Sequence, residues 1–172
     1  LNDSIITAKK GAIKSSYEGT PFINVVLSNL DLIKSKNSLL RDFFDSLENQ
    51  VFKVFIVGEY DKKEIGKKLE DFKGSLSNKN HYFFKTHFTQ EDLVKNINDS
   101  IVNISEMNWM GILCSYYGKS SYIFNYENKS NCLNHFKTTP NMINFDNDIL
   151  SSLYCNGKEI KLSNMAELAD HI

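Results

Sequence analysis

Long apolar runs, a net charge of one sign, paired cysteines and the common nucleotide-binding signatures are all missing from this chain of 172 residues. No apolar stretch approaches the roughly 20 residues of a membrane span. The opening LNDSIITAKKG has no apolar h-region of a signal peptide. A cytoplasmic protein with no membrane span is the expectation. The chain starts at Leu1 rather than Met, which suits a piece of something longer. Twenty basic residues against 21 acidic ones leave a formal net charge of -1. That balance points to neither nucleic acid nor an anionic membrane surface as a partner.

The three cysteines, Cys114, Cys132 and Cys155, are widely spaced and form no CxxC, so reduced thiols are expected rather than a disulfide framework. The four histidines, His81, His87, His135 and His171, show no metal-ligand spacing, and no metal is expected. G-x-G-x-x-G, the Walker A motif and the G-x-S-x-G elbow are all absent. Asn-x-Ser sequons fall at Asn2, Asn98, Asn103 and Asn128, as chance allows in an Asn- and Ser-rich chain; Asn103 lies in a stretch that reads as a buried strand.

What remains is a regular alternation. Residues 1–20 are polar and without period, and read as a linker or irregular lead-in. Residues 21–30 form a short apolar run that suits a buried strand. In residues 36–49, Leu39, Leu40, Phe43, Phe44 and Leu47 recur at helical spacing. VFKVFIVGEY (51–60) is the clearest strand, and 62–74 a helix with Ile65, Leu69 and Phe72 on one face, stopped by Gly74. A strand over 81–88 precedes a helix capped by Thr89, with Glu91 and Asp92 in its first turn. Residues 99–105 read as a fourth strand, 106–118 as a helix and 120–126 as a fifth strand. Residues 142–145 suit a short edge strand. Residues 146–157 and 162–172 read as closing helices. Strict strand–helix alternation means βαβ units. Nearly continuous apolar strands mean a sheet buried on both sides. The fold class is therefore α/β: one three-layer Rossmann-like domain over 21–172, a mainly parallel sheet of five or six strands with helices on both faces.

In such a sheet, ligands bind where strands end. Gly58 ends the second strand and permits a tight turn or a close ligand; Asp61 then suits the N-cap of the next helix. His87, after the third strand, is the best general-base candidate by residue type. Ser105, Glu106, Met107, Asn108 and Trp109 stand where the fourth strand gives way to a helix. A helix N-terminus suits phosphate, but Ser105 as N-cap and Glu106 in the first turn are also explained without a ligand. Trp109, the single tryptophan, suits stacking on a base or sugar, or a place in the core. Gly118 suits a helix C-cap. Tyr126 and Lys129 follow the fifth strand, where Lys129 can neutralise a phosphate.

Residues 99–129, DSIVNISEMNWMGILCSYYGKSSYIFNYENK, resemble a late segment of the polysaccharide pyruvyl transferases, which share the GT-B glycosyltransferase architecture. The common form is a strand ending near Ser105, a helix ending in Gly118-Lys119, an apolar strand, then Tyr126 and Lys129 three apart. The specific part covers about thirty residues; the topology covers roughly residues 20–172. Where that family carries Arg and His, this chain has Met107 and Trp109, and Ser120 replaces a Pro, so the resemblance does not extend to the pyruvyl-transfer machinery. It implies the C-terminal, nucleotide-sugar-binding half of a GT-B-like transferase, as for cell-surface polysaccharide. The donor is a substrate, no resident cofactor is needed, and an acceptor-binding domain would precede it. In that setting Gly58, Ser105, Glu106, Met107, Asn108, Trp109, Tyr126 and Lys129 are the ligand-binding candidates. The backbone at 105–108 would hold the diphosphate, and Glu106 or Tyr126 would bond ribose or sugar hydroxyls. His87 and Glu106 are the catalytic candidates.

Two other classes fit in part. VFIVGEYDKKEIGKKLEDF and INDSIVNISE resemble a TIR-like or deoxyribosyltransferase-like nucleotide-binding module. Those families need a glutamate in the helix after the later strand, and MNWMGILCSYY has none. A non-catalytic interaction domain derived from a transferase fits the lost Arg and His and the Asn-rich surface.

Overall fold

The apolar runs of the sequence lie side by side in one sheet. A computed structural model describes residues 19–28, 33, 39–77, 79–106, 108–117, 120–126, 134–136, 140–146 and 149–172. In chain order the elements are β1 (Ile23–Leu27), α1 (Leu39–Ser46), β2 (Val51–Ile56), α2 (Lys62–Ser75), β3 (His81–Lys85), α3 (Gln90–Asp99) and β4 (Val102–Glu106). They continue with α4 (Trp109–Tyr117), β5 (Ser121–Asn125), β6 (Asn141–Asp146), β7 (Ile149–Cys155), β8 (Lys158–Lys161) and α5 (Met165–Ala169).

The strands form a single eight-stranded sheet in the order β3-β2-β1-β4-β5-β6-β7-β8. Every pairing from β3 through β6 is parallel, and β7 and β8 are antiparallel additions. The α/β class is as expected. The strand count exceeds five or six, and the sheet is mixed.

Successive residues of β1 face opposite sides. Ile23, Val25 and Leu27 join a core with Leu40, Phe43 and Phe44 of α1, Ile65, Leu69 and Phe72 of α2, and Leu168 of α5. Val26 joins a smaller core with Leu93 and Ile97 of α3 and Met110 and Cys114 of α4. Helices therefore cover both faces. Phe44 is the hub of the larger core, its ring 4.7 Å from Phe52, 5.4 Å from Tyr82 and 6.2 Å from Phe72.

Local signals fix several helix ends. Asp61 Oδ1 accepts from the Lys63 and Glu64 amides at 3.0 Å. Thr89 and Asp92 form a reciprocal capping box at the start of α3. Gly74 does not end α2, which runs one residue further. Asn80 Nδ2 donates to the Phe44 and Leu47 carbonyls at the end of α1, and its Oδ1 accepts from Gln50 N.

Three expectations are corrected. Residues 142–145 belong to β6, an interior strand between β5 and β7. Residues 146–157 hold β7, not a helix, because Asn156 (φ 51°) and Gly157 (φ 76°) make a two-residue turn that folds β8 back along β7. The fourth strand begins at Val102, not at residue 99: Asp99 ends α3 and Ser100 caps it.

Among the described residues no helix is long and apolar enough to cross a membrane, and no group of three His, Cys, Asp or Glu side chains could hold a metal. Cys114 is buried and Cys155 half-buried, both as free thiols; Cys132 lies outside the described residues.

Candidate functional site

From β1 the chain steps outward through β2 to β3, then crosses back to β4 and steps the other way through β5 to β6. β1 and β4 are the neighbours at which the order reverses, the place where open α/β sheets form a crevice at their carboxyl edge. The residues gathered there come from three strand ends and the start of α4.

Glu106 is the last residue of β4 and is 8% exposed. Its Oε2 accepts from Ser28 N at 2.5 Å and from Ser28 Oγ at 2.6 Å, across the reversal point. A carboxylate this buried needs such donors. Asn108 Nδ2 donates to Ser28 Oγ at 2.9 Å, while Asn108 Oδ1 accepts from Met110 N at 2.9 Å and so caps α4. On the other side of Ser28, the Tyr60 hydroxyl lies 2.6 Å from Ser28 O and 3.1 Å from Val57 O. Burial, and then the nearby Glu106 charge, push the Tyr60 hydroxyl above the ordinary phenol range.

Gly58 is needed for this arrangement. Its φ is +143°, and a Cβ there would stand 2.7 Å from the Tyr60 ring. Gly111 has the same role beneath α4: a Cβ would come 2.7 Å from the Glu106 carbonyl oxygen and 3.2 Å from Ser105 Oγ. Glycine at this position lets α4 lie directly on the end of β4.

The structure brings together Gly58, Glu106 and Asn108 from the sequence candidates and adds Ser28 and Tyr60. Ser28 was legible only as a polar residue ending the first apolar run, and Tyr60 only by its nearness to Gly58. Glu106 does not sit in the first turn of the helix, which starts three residues later, and Ser105 does not cap it. Ser105 is fully buried on the α4 side, beside Cys114, whose thiol burial pushes up to about 12. Asn108 N donates to Glu106 O at 2.8 Å, and the Met110 amide is taken by Asn108, so these two amides are already committed.

Trp109 is 58% exposed at the start of α4, outside the core. Tyr126 is packed, its ring stacked on Phe145 at 4.8 Å and 15°. His87 is exposed after β3, three strand spacings or about 14 Å from β4. It is not brought to Glu106. Met107 and Lys129, with Gly118 and Lys119, lie outside the described residues.

Compared with family models, with curated proteins and with solved structures, the chain finds no match.

Proposed function

We propose that the crevice between β1 and β4 binds the nucleotide part of a nucleotide sugar, and that the chain is the Rossmann-like donor half of a GT-B-like sugar transferase. The observation that supports this most is Glu106, a buried carboxylate held by a hydroxyl and an amide at the point where the strand order reverses. An ionised carboxylate only accepts hydrogen bonds. It suits the paired hydroxyls of a ribose, which would exchange with the Ser28 hydroxyl.

The same charge repels phosphate, so the diphosphate belongs away from the Glu106 carboxylate. The edge at 105–108 is correspondingly a poor phosphate cradle, with the Asn108 amide already bonded. Trp109, exposed and directly after Asn108 in the chain, offers a face on which a base or sugar stacks. Catalysis in this reading is donor positioning and stabilisation of the leaving diphosphate.

A thermal-shift panel tests the proposal. Stabilisation by UDP-, GDP- or CMP-sugars supports it; NAD turnover supports the TIR-like class instead. No shift with any of them favours a non-catalytic interaction domain. One feature speaks for that second reading: α4 carries no charged residue and leaves Trp109, Tyr116 and Tyr117 at least half exposed.

A further inference from the structure

Four side chains on four successive strands form one hydrogen-bonded line. Asn125 Nδ2 of β5 donates to Asn144 Oδ1 of β6 at 3.0 Å. Asn144 Nδ2 donates to Ser152 Oγ of β7 at 3.1 Å, and Ser152 Oγ donates to Glu159 Oε1 of β8 at 2.6 Å. The line has a direction. The Glu159 carboxylate accepts, so the single Ser152 proton points to it, and Ser152 can then only accept from Asn144. Asn144 must therefore turn its carbonyl to Asn125, and Asn125 must answer with its amide group. Turning either amide around would set donor against donor or acceptor against acceptor.

The end of the line is Asn125 Oδ1, a buried acceptor with no partner on a residue 7% exposed. Native structures satisfy nearly all such atoms. Asn125 is the last residue of β5, one position past Phe124, which pairs with Glu106 at the end of β4. Its side chain shares the α4 side of the sheet with Ile123, which lies against Gly111, and with Ser121, whose hydroxyl bonds Cys114 O.

We propose that Asn125 Oδ1 is a base-reading contact of the crevice: it accepts a hydrogen bond from an N–H of the nucleobase of the bound nucleotide, and the line to Glu159 fixes it as an acceptor. This rests on the nucleotide-binding reading above. With its amide group turned to Asn144, Asn125 presents its carbonyl oxygen and distinguishes bases by a donor at one position.

The test is calorimetric titration of UDP, CDP, GDP and ADP into the wild-type chain and into Asn125→Ala and Glu159→Gln. Glu159 is exposed and touches no ligand in this arrangement, so its conservative variant keeps the test open if Asn125→Ala fails to fold. A glutamine there can donate to Ser152, which lets the whole line reverse. We expect the wild type to prefer one base, Asn125→Ala to weaken that nucleotide roughly tenfold and leave the others unchanged, and Glu159→Gln to narrow the preference. If the wild type binds nucleotides and both variants keep its ranking and affinities, Asn125 does not read the base, and the proposed function stands. If Glu159→Gln alone folds and keeps the wild-type preference at its full margin, the inference is likewise overturned. Failure of the wild type to bind any of the four overturns both.

Discussion

A carboxylate buried as deeply as Glu106 depends on its donors, and those donors depend on it. Glu106→Ala leaves the Ser28 amide without its acceptor, at a cost of about 1–3 kcal/mol. Glu106→Gln keeps an acceptor oxygen and should lose less. Urea unfolding of the two variants checks the order, which a merely space-filling role for Glu106 would not produce. A second residue-scale effect is alkaline. Burial pushes the Tyr82 hydroxyl up to about 12 from an ordinary 10.0. Between those values the folded chain keeps a proton that the unfolded chain has released. Stability that is intact below pH 10 therefore falls as the pH rises toward 12, by about 2 kcal/mol. Cys114, also pushed up to about 12, adds to the fall from pH 9. Tyr82→Phe removes the Tyr82 share and should flatten the upper part of the curve of urea midpoint against pH. It also loses the bond from Asn80 Nδ2 at every pH, so the slope, not the level, is the readout.

At the scale of elements, close contacts of backbone with backbone decide where helices lie. Gly111→Ala would drive a methyl group to within 2.7 Å of the Glu106 carbonyl. α4 must then lift from β4, which should cost about 1–3 kcal/mol and displace Asn108 from Ser28. Denaturant unfolding gives the first effect, and ligand titration the second. At the β7–β8 turn the cost is conformational alone. Gly157 has φ +76° and open space around it, so Gly157→Val should cost about 1–2 kcal/mol through backbone strain without a clash. The same turn shows why part of the fold was not legible. Ile149, Leu150, Leu153 and Tyr154 repeat at i, i+1, i+4 and i+5, a helical period. The Asn156-Gly157 pair is a hairpin signal that outweighs it, since two positive φ angles fit a two-residue turn and cannot continue a helix. The βαβ units were legible because their strands are short apolar runs and their helices carry apolar faces at 3.6-residue spacing, as in Leu40, Phe43 and Phe44. Boundaries near the site were harder. Glu106 looks like first-turn chemistry until Asn108 is seen capping α4 instead.

For the whole molecule, the proposed site rests on the sheet order more than on any motif. The strand order reverses between β1 and β4, and the polar residues Ser28, Glu106 and Asn108 meet at that edge of the sheet. Sequence spacing pointed to residues 105–109 because they follow an apolar strand. It could not show that β1, almost eighty residues earlier, supplies the partner. The placement of His87 makes the same point in reverse: it stands at the correct edge but on the outer strand, away from Glu106. The chain's single tryptophan is exposed at the start of α4, next to Asn108 in the chain, so its fluorescence reports on that place alone. The most direct measurement is a fluorescence titration of wild type and Glu106→Gln with UDP-, GDP- and CMP-sugars. A saturable change with one of these donors, weakened at least tenfold in Glu106→Gln, is the expected result. No change with any donor, or the same affinity in both proteins, would contradict a nucleotide site at the β1–β4 crevice.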